Sequence, residues 1–255
     1  MLAGRNLSAA FVGVTIFATW FGSTHIMGSP SEFVERGFLS FFSLIVSGGI
    51  CLVIISFFYA RRLYKLNIIT IADFFSIRYN KKVDLAVSVI LIFTYPHWIA
   101  AQFVALGFLF QNVLGIPTEF GIILGASIVI LYTYIGGMWA VSYTDMVQSI
   151  LILIGLLILL ANVLSEIEGI APLFADKPGS FFNIFPEGGF KDWSDYATVV
   201  LAFLVGTIPA QEIYQRVFSA KSERAAVNGL LLGAVLMVCI PAIPMLIALA
   251  GVHLH

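Results

Sequence analysis

Side chains able to do chemistry are sparse in this 255-residue chain, and those set inside apolar surroundings gather at three places. The first is the stretch 18–30, Ala-Thr-Trp-Phe-Gly-Ser-Thr-His-Ile-Met-Gly-Ser-Pro, where two glycines, a proline and a run of hydroxyls interrupt a long apolar segment. The second is 205–212, Val-Gly-Thr-Ile-Pro-Ala-Gln-Glu, where Gly206 and Pro209 interrupt another. Proline removes a helical hydrogen bond and glycine loosens the backbone. Inside a bilayer, amides and carbonyls released in this way are tolerated only where protein buries them or where they line a wet cavity. Such breaks are therefore places to hold an ion or a polar solute. The third place is Asp145, which has Gln148 three residues on.

Each residue also has a plainer reading. Ser23 and Thr24 resemble membrane-helix hydroxyls that bond their own or a neighbouring backbone. His25 at mid-membrane depth calls for a partner or a wet cavity; in a helix that ended early it would be interfacial. Glu212 is the one carboxylate placed within a span, which marks an ion or solute path. Arg216 lies four residues on, so an i,i+4 pair is the plainer reading. Gln211 is a lesser cavity candidate, and packing is the plainer role of His97 and Gln102 in the third span. Asp145 with Gln148 has the form of a helix N-cap with a return hydrogen bond, and the helix dipole favours an acid there.

The elements that must position these groups are transmembrane helices. The chain is 60% hydrophobic and only 11% charged, with a mean hydropathy of +1.01, far from the composition of soluble domains. The fold class is all-α, a polytopic membrane protein. Cys51 and Cys239 sit in apolar runs and imply neither a disulfide nor a metal framework. The segment after Arg5 is too long and too interrupted for a cleavable signal. The net charge of −1 points to no nucleic-acid partner. The sequence carries no metal-ligand cluster, nucleophile–base motif or phosphate loop, so it does not read as an enzyme and implies no organic cofactor.

Seven spans are expected, near 7–27, 38–60, 83–111, 120–141, 146–164, 196–217 and 225–252. The third and seventh are longer than a straight crossing needs. Bends are expected at Pro96, Pro241 and Pro244. Ten of the thirteen basic residues fall before the first span or in the loops after the second and sixth. The positive-inside rule then puts the N-terminus in the cytoplasm. The segment 165–195, with six acids, is an external loop or small cap within a single transmembrane domain, 1–255. The two broken helices are five spans apart and so cross in opposite directions. Paired interruptions of that kind point to the central site of a secondary transporter.

The stretch 131–148, Leu-Tyr-Thr-Tyr-Ile-Gly-Gly-Met-Trp-Ala-Val-Ser-Tyr-Thr-Asp-Met-Val-Gln, closely resembles the most diagnostic segment of the sodium:solute symporter family, which includes sodium/proline, sodium/pantothenate and sodium/glucose symporters. Ala3-Gly4-Arg5-Asn6-Leu7, Thr70-Ile71-Ala72-Asp73-Phe74-Phe75 with Arg78-Tyr79, and Gln211 through Lys221 resemble three other family segments. The resemblance implies a ten-helix, five-plus-five inverted-repeat core of the LeuT-like kind. Core helices one to seven fall in this chain, so the core is expected to be incomplete at its C-terminal side. The eighth helix, which supplies hydroxyl ligands to sodium in the family, would lie beyond it.

By the same resemblance, sodium is the coupling ion, with backbone carbonyls of Ala18 and Phe21 as its ligands. Ser23, Thr24, His25, Gln211 and Glu212 are candidates for the solute cavity. Asp145 lies near the cytoplasmic exit of the ion. Trp20 stands where some amino-acid carriers have aspartate, and Leu44 and Met237 stand where sugar contacts fall, which argues against a hexose. The implied function is sodium-coupled symport of a small organic solute by alternating access across the plasma membrane (the inner membrane in a bacterium). The alternative is a transporter-like sensory input module of a signalling protein.

Overall fold

The computed structural model describes residues 2–254. Among the described residues the first turn is followed by α1 Ala9–Trp20, α2 Thr24–Arg36, α3 Phe38–Lys65, α4 Ile71–Arg78, α5 Lys81–Leu114, α6 Thr118–Glu166, α7 Pro172–Ala175, a short turn of 3-10 helix at Gly179–Phe182, α8 Phe190–Leu204, α9 Gln211–Ser219, α10 Glu223–Cys239 and α11 Ala242–Leu254. Several begin where the sequence supplies an acceptor for free amides. Ser8 takes the Phe11 amide at 3.4 Å, Asn80 takes those of Lys82 and Val83, and Ser222 takes that of Ala225 at 3.1 Å. Thr70 and Asp73 form a reciprocal capping box at the start of α4.

Among the described residues four helical segments are long and apolar enough to cross a membrane, namely α3, α5, α6 and the α10–α11 pair. A fifth is the α1–α2 pair, bent by 68° at its break. The protein is thus an all-α, multi-pass membrane protein. α8 and α9 are 15 and 9 residues long, shorter than a crossing requires when taken singly.

The main core joins α1, α3, α9 and α10 around Val12, Ile16, Leu52, Ile55, Tyr214 and Leu230. α1 and α10 approach closely because glycine faces a branched side chain on each. A Cβ at Gly229 would lie 2.5 Å from Val12 Cγ1, and one at Gly13 would lie 2.8 Å from Leu232. Small residues allow this backbone approach where apolar burial gives little drive for helix association. At the opposite end, Leu173 and Phe181 from the segment 165–195 pack with Phe33, Met245 and Leu249, the Phe33 and Phe181 rings meeting edge-on at 5.4 Å. α5 and α6 turn residues such as Phe93, Ile92 and Leu151 outward, as suits surfaces that face acyl chains.

Two expectations are corrected. The fourth and fifth spans are not parted by a loop. Two helical stretches within Thr118–Glu166 meet directly at Gly137, whose φ of 52° and ψ of −145° are not helical. Glycine reaches that backbone without strain, so the chain changes direction in a single residue. Asp145 therefore lies inside a helix and is not its N-cap. Pro96 lies within an unbroken helix, whereas Pro241 separates α10 from α11.

Candidate ion and solute cavity

α1 stops because its last amides find other acceptors. The Gly22 amide bonds Trp20 O at 2.9 Å and the His25 amide bonds Gly22 O at 3.0 Å. The Ser23 amide donates to Oε1 of Gln102 on α5 at 2.9 Å. These three amides would have closed on the carbonyls of Ala18, Phe21 and Thr19 had the helix continued. All three carbonyls thereby lose their regular helical donor, and two of them belong to the residues singled out as cation ligands. Gly22 is required here, since a Cβ would run into the Gln102 carboxamide.

The second break has the same logic. The amides of Val205 and Gly206 share Leu201 O, at 2.9 and 3.2 Å, and the Ala210 amide turns back to Thr207 O at 3.0 Å. Pro209 contributes no amide, and a helix resumes at Gln211. A Cβ at Gly206 would press on Ala202 O at 2.6 Å.

Both breaks face one cavity of about 610 Å³. Trp20, Thr24 and His25 line it from the first break, and Gly206, Thr207 and Pro209 from the second. α5 adds Tyr95 and Trp98, and Glu212 completes the wall near the start of α9. Leu44 and Met237 also line it and add apolar surface. His25 is 7% exposed and stacks on Phe21 with ring centroids 5.9 Å apart. Among the described residues its Nδ1 has no hydrogen-bond partner.

Glu212 does not pair with Arg216 through its carboxylate. Its Oε1 accepts from Trp20 Nε1 at 3.4 Å, and its Oε2 accepts from the Tyr95 hydroxyl. That hydroxyl in turn accepts the Gln211 amide at 3.1 Å. One carboxylate thus joins the first break, α5 and the second broken helix. Arg216 instead donates to the Glu212 carbonyl at 3.1 Å and lies 3.8 Å from Asp145.

Two candidates, Ser23 and Gln211, are not among the residues that line this cavity. Ser23 is engaged through its backbone by Gln102. The Gln211 side chain turns away and accepts the Ile71 amide at 2.7 Å, fastening α9 to the start of α4. Sequence reasoning assigned packing to Gln102, which instead holds the first break open, and it passed over Tyr95. The signal available was a polar side chain in a lipid-depth helix beside Pro96 and His97.

Comparison with known proteins bears directly on this arrangement. The sodium:solute symporter family matches the chain over residues 1–255. The chain belongs to the sodium:solute symporter family. Within that family it is similar to the high-affinity choline transporter 1 of Caenorhabditis elegans, 32% identical over 95% of this chain and 42% of that transporter. The human high-affinity choline transporter 1 is 27% identical over 95% of this chain and 43% of its own. The sodium/proline symporter of Staphylococcus aureus is 30% identical over 66% of this chain and 34% of its own. This symporter-family chain therefore spans less than half the length of those curated relatives. Its fold superposes with a TM-score of 0.82 on a Na+-coupled sialic acid symporter solved in a substrate-bound outward-open state, at 20% identity over 97% of this chain and 54% of that one.

Proposed function

We propose that this chain carries the ion- and solute-binding part of a sodium-coupled symporter for a small organic solute, working by alternating access. The observation that carries the reading is the convergence of two helix breaks on one cavity, as at the central site of secondary transporters. In this reading the carbonyls of Ala18 and Phe21 give oxygen to sodium, while Thr24, His25 and Glu212 face the solute. Asp145 and its neighbour Arg216 lie on the route by which the ion leaves. The chain forms a single transmembrane domain, and α1–α2 and α8–α9 each count as one broken crossing. With α6 counted twice about Gly137, seven crossings of a LeuT-like inverted-repeat core result. The basic loops face the cytoplasm, the N-terminus is inside, and 165–195 is external; the membrane is the plasma membrane.

The driving force is adequate. Moving one charge through 100 mV releases about 2.3 kcal/mol, before the sodium concentration gradient is added.

The test is uptake by the protein in proteoliposomes, with choline and proline, the solutes named for its relatives, and a wider set of labelled amines, amino acids and carboxylates. Accumulation is expected under an inward sodium gradient, with loss of uptake when potassium replaces sodium or an ionophore collapses the gradient. Uptake of every solute at the same rate in sodium and in potassium would refute the reading.

A further inference from the structure

We propose that the corner between α4 and α5 binds an anionic phospholipid, its phosphate held by Arg78, Lys81 and Lys82 and an acyl chain lying along α5. Such a site is separate from the central cavity and stands whether or not the protein is a symporter.

Three cations fall within five residues at this corner, and all three side chains are exposed. Among the described residues none of them has a carboxylate within ion-pair distance. Other basic residues are partly neutralised: Arg61 and Lys65 each lie 3.5 Å from Glu223. The acids nearest the corner in sequence are turned to their own neighbours. Asp73 accepts the Thr70 amide at 2.8 Å and the Ile69 amide at 3.0 Å, and Asp84 accepts the Ser88 hydroxyl at 3.4 Å. The Arg78 guanidinium carbon sits 5.7 Å from the centre of the Tyr79 ring. Arginine stacks on aromatic faces and also presents several N–H donors to phosphate oxygens. Tyr79 is itself exposed and stacks on Phe75, and tyrosine favours the boundary between acyl chains and water. Unpaired basic groups at that boundary attract anionic headgroups.

The apolar half of the site is on α5. Leu85, Val89, Ile92 and Phe93 are exposed and recur at the three- and four-residue spacing of one helix face. Lys81 and Lys82 lie one turn before Leu85 on the same helix. From Lys82 to Phe93 the helix rises about 16 Å at ~1.5 Å per residue, close to one leaflet of a hydrocarbon core about 30 Å thick. A soluble anion would use the cations and leave this apolar stripe uncovered, whereas a phospholipid covers both.

The corner is tied to the two breaks. The Gln211 side chain fastens α9 to the Ile71 amide of α4. α5 supplies Tyr95 to Glu212 and Gln102 to the Ser23 amide. A lipid that joins α4 to α5 therefore braces the side of the molecule on which both breaks are held.

Native mass spectrometry of the detergent-solubilised protein, with dioleoyl phosphatidylglycerol or dioleoyl phosphatidylcholine added, reads the lipid retained. Phosphatidylglycerol is expected to be retained at roughly tenfold lower concentration than phosphatidylcholine, and to raise the unfolding temperature. The triple variant Arg78→Gln/Lys81→Gln/Lys82→Gln is expected to lose both effects, and Lys81→Arg/Lys82→Arg to keep them. Should the triple variant not fold, Lys81→Gln/Lys82→Gln carries the same comparison. Arg62→Gln/Lys221→Gln/Arg224→Gln removes equal charge from exposed residues without an ion pair elsewhere, and is expected to retain the lipid. Equal loss in both triple variants would make the attraction diffuse surface charge and overturn the proposal. Equal retention of the two lipids by the unmodified protein, or undiminished phosphatidylglycerol binding in the corner variants, would overturn it as well. Displacement of the lipid by inorganic phosphate at the same concentration would make the occupant a soluble anion and overturn the lipid assignment.

Discussion

The guanidinium of Arg216 on α9 stands 3.8 Å from the carboxylate of Asp145 on α6, and both side chains are largely withdrawn from solvent. The pair bridges the second broken helix and the kinked helix across 71 positions of sequence, the difference between 216 and 145. It is loose: Asp145 Oδ2 and Arg216 Nε have no hydrogen-bond partner among the described residues. Such a pair can be remade when the helices move.

Asp145→Asn tests that pair. Breaking a tight buried ion pair costs about 3–5 kcal/mol. At this separation the expected loss is about 1–3 kcal/mol, the cost of leaving a buried polar group unsatisfied. Asparagine caps helices well, but position 145 lies within a helix, so the swap isolates charge. Thermal unfolding in detergent is expected to shift down, with weakened sodium-driven uptake. A variant equal to the parent in both would assign Asp145 no part in ion release.

The first break depends on Gln102. Gln102→Ala removes the acceptor of the Ser23 amide, and a buried unsatisfied amide costs about 1–3 kcal/mol. Gly22→Ala displaces the same carboxamide from the other side. Both variants are expected to raise the sodium concentration needed for half-maximal uptake. Sodium affinity unchanged in both would separate the break from the ion.

At the basic end, burial tends to raise the Asp73 carboxyl, but hydrogen bonds from the Thr70 and Ile69 amides help outweigh it and hold it below its ordinary value of 3.8. A depressed carboxylate stabilises the fold above its unfolded-state value and stops doing so as pH falls through its folded-state value. Asp73→Asn is therefore expected to lower the unfolding temperature at neutral pH. The difference from the parent is expected to vanish in strong acid. A pH-independent difference would mean that packing, not the charged capping box, holds α4.

Orientation is open to direct labelling. Cys239 is exposed and Cys51 buried, so a Cys239→Ser background removes the accessible thiol. Cysteine at Lys177 is expected to react with an impermeant reagent from outside, and cysteine at Lys65 only after the membrane is opened. Equal reaction of both in sealed cells would overturn the proposed topology.

The breaks were legible because their causes are local. Gly22, and then Gly206 and Pro209, interrupt apolar runs and the backbone follows, whereas Gly28 and Pro30 lie inside α2 and leave it helical. What lay hidden depends on partners far away in sequence. Arg216 reads as the i,i+4 partner of Glu212, yet its guanidinium reaches Asp145 and the Glu212 backbone. Gln211 reads as a cavity residue, yet its side chain bonds the Ile71 amide. Side-chain direction across helices is set by tertiary packing, which periodicity does not encode. The join between fourth and fifth spans reads longer than it is, for a different reason. A polar stretch ending in Asp145 looks like a loop, but Gly137 alone redirects the chain through one positive-φ residue.

The central claim is that both breaks serve one sodium-responsive cavity, and paired accessibility tests it most directly. Thr24 and Thr207 line that cavity from opposite breaks. In the Cys239→Ser background, Thr24→Cys and Thr207→Cys are labelled separately from outside, in sodium and in potassium. The expected result is that sodium changes the labelling rate at both positions in the same concentration range, while potassium changes neither. Sodium acting at one position alone, or potassium acting as sodium does, would contradict the account.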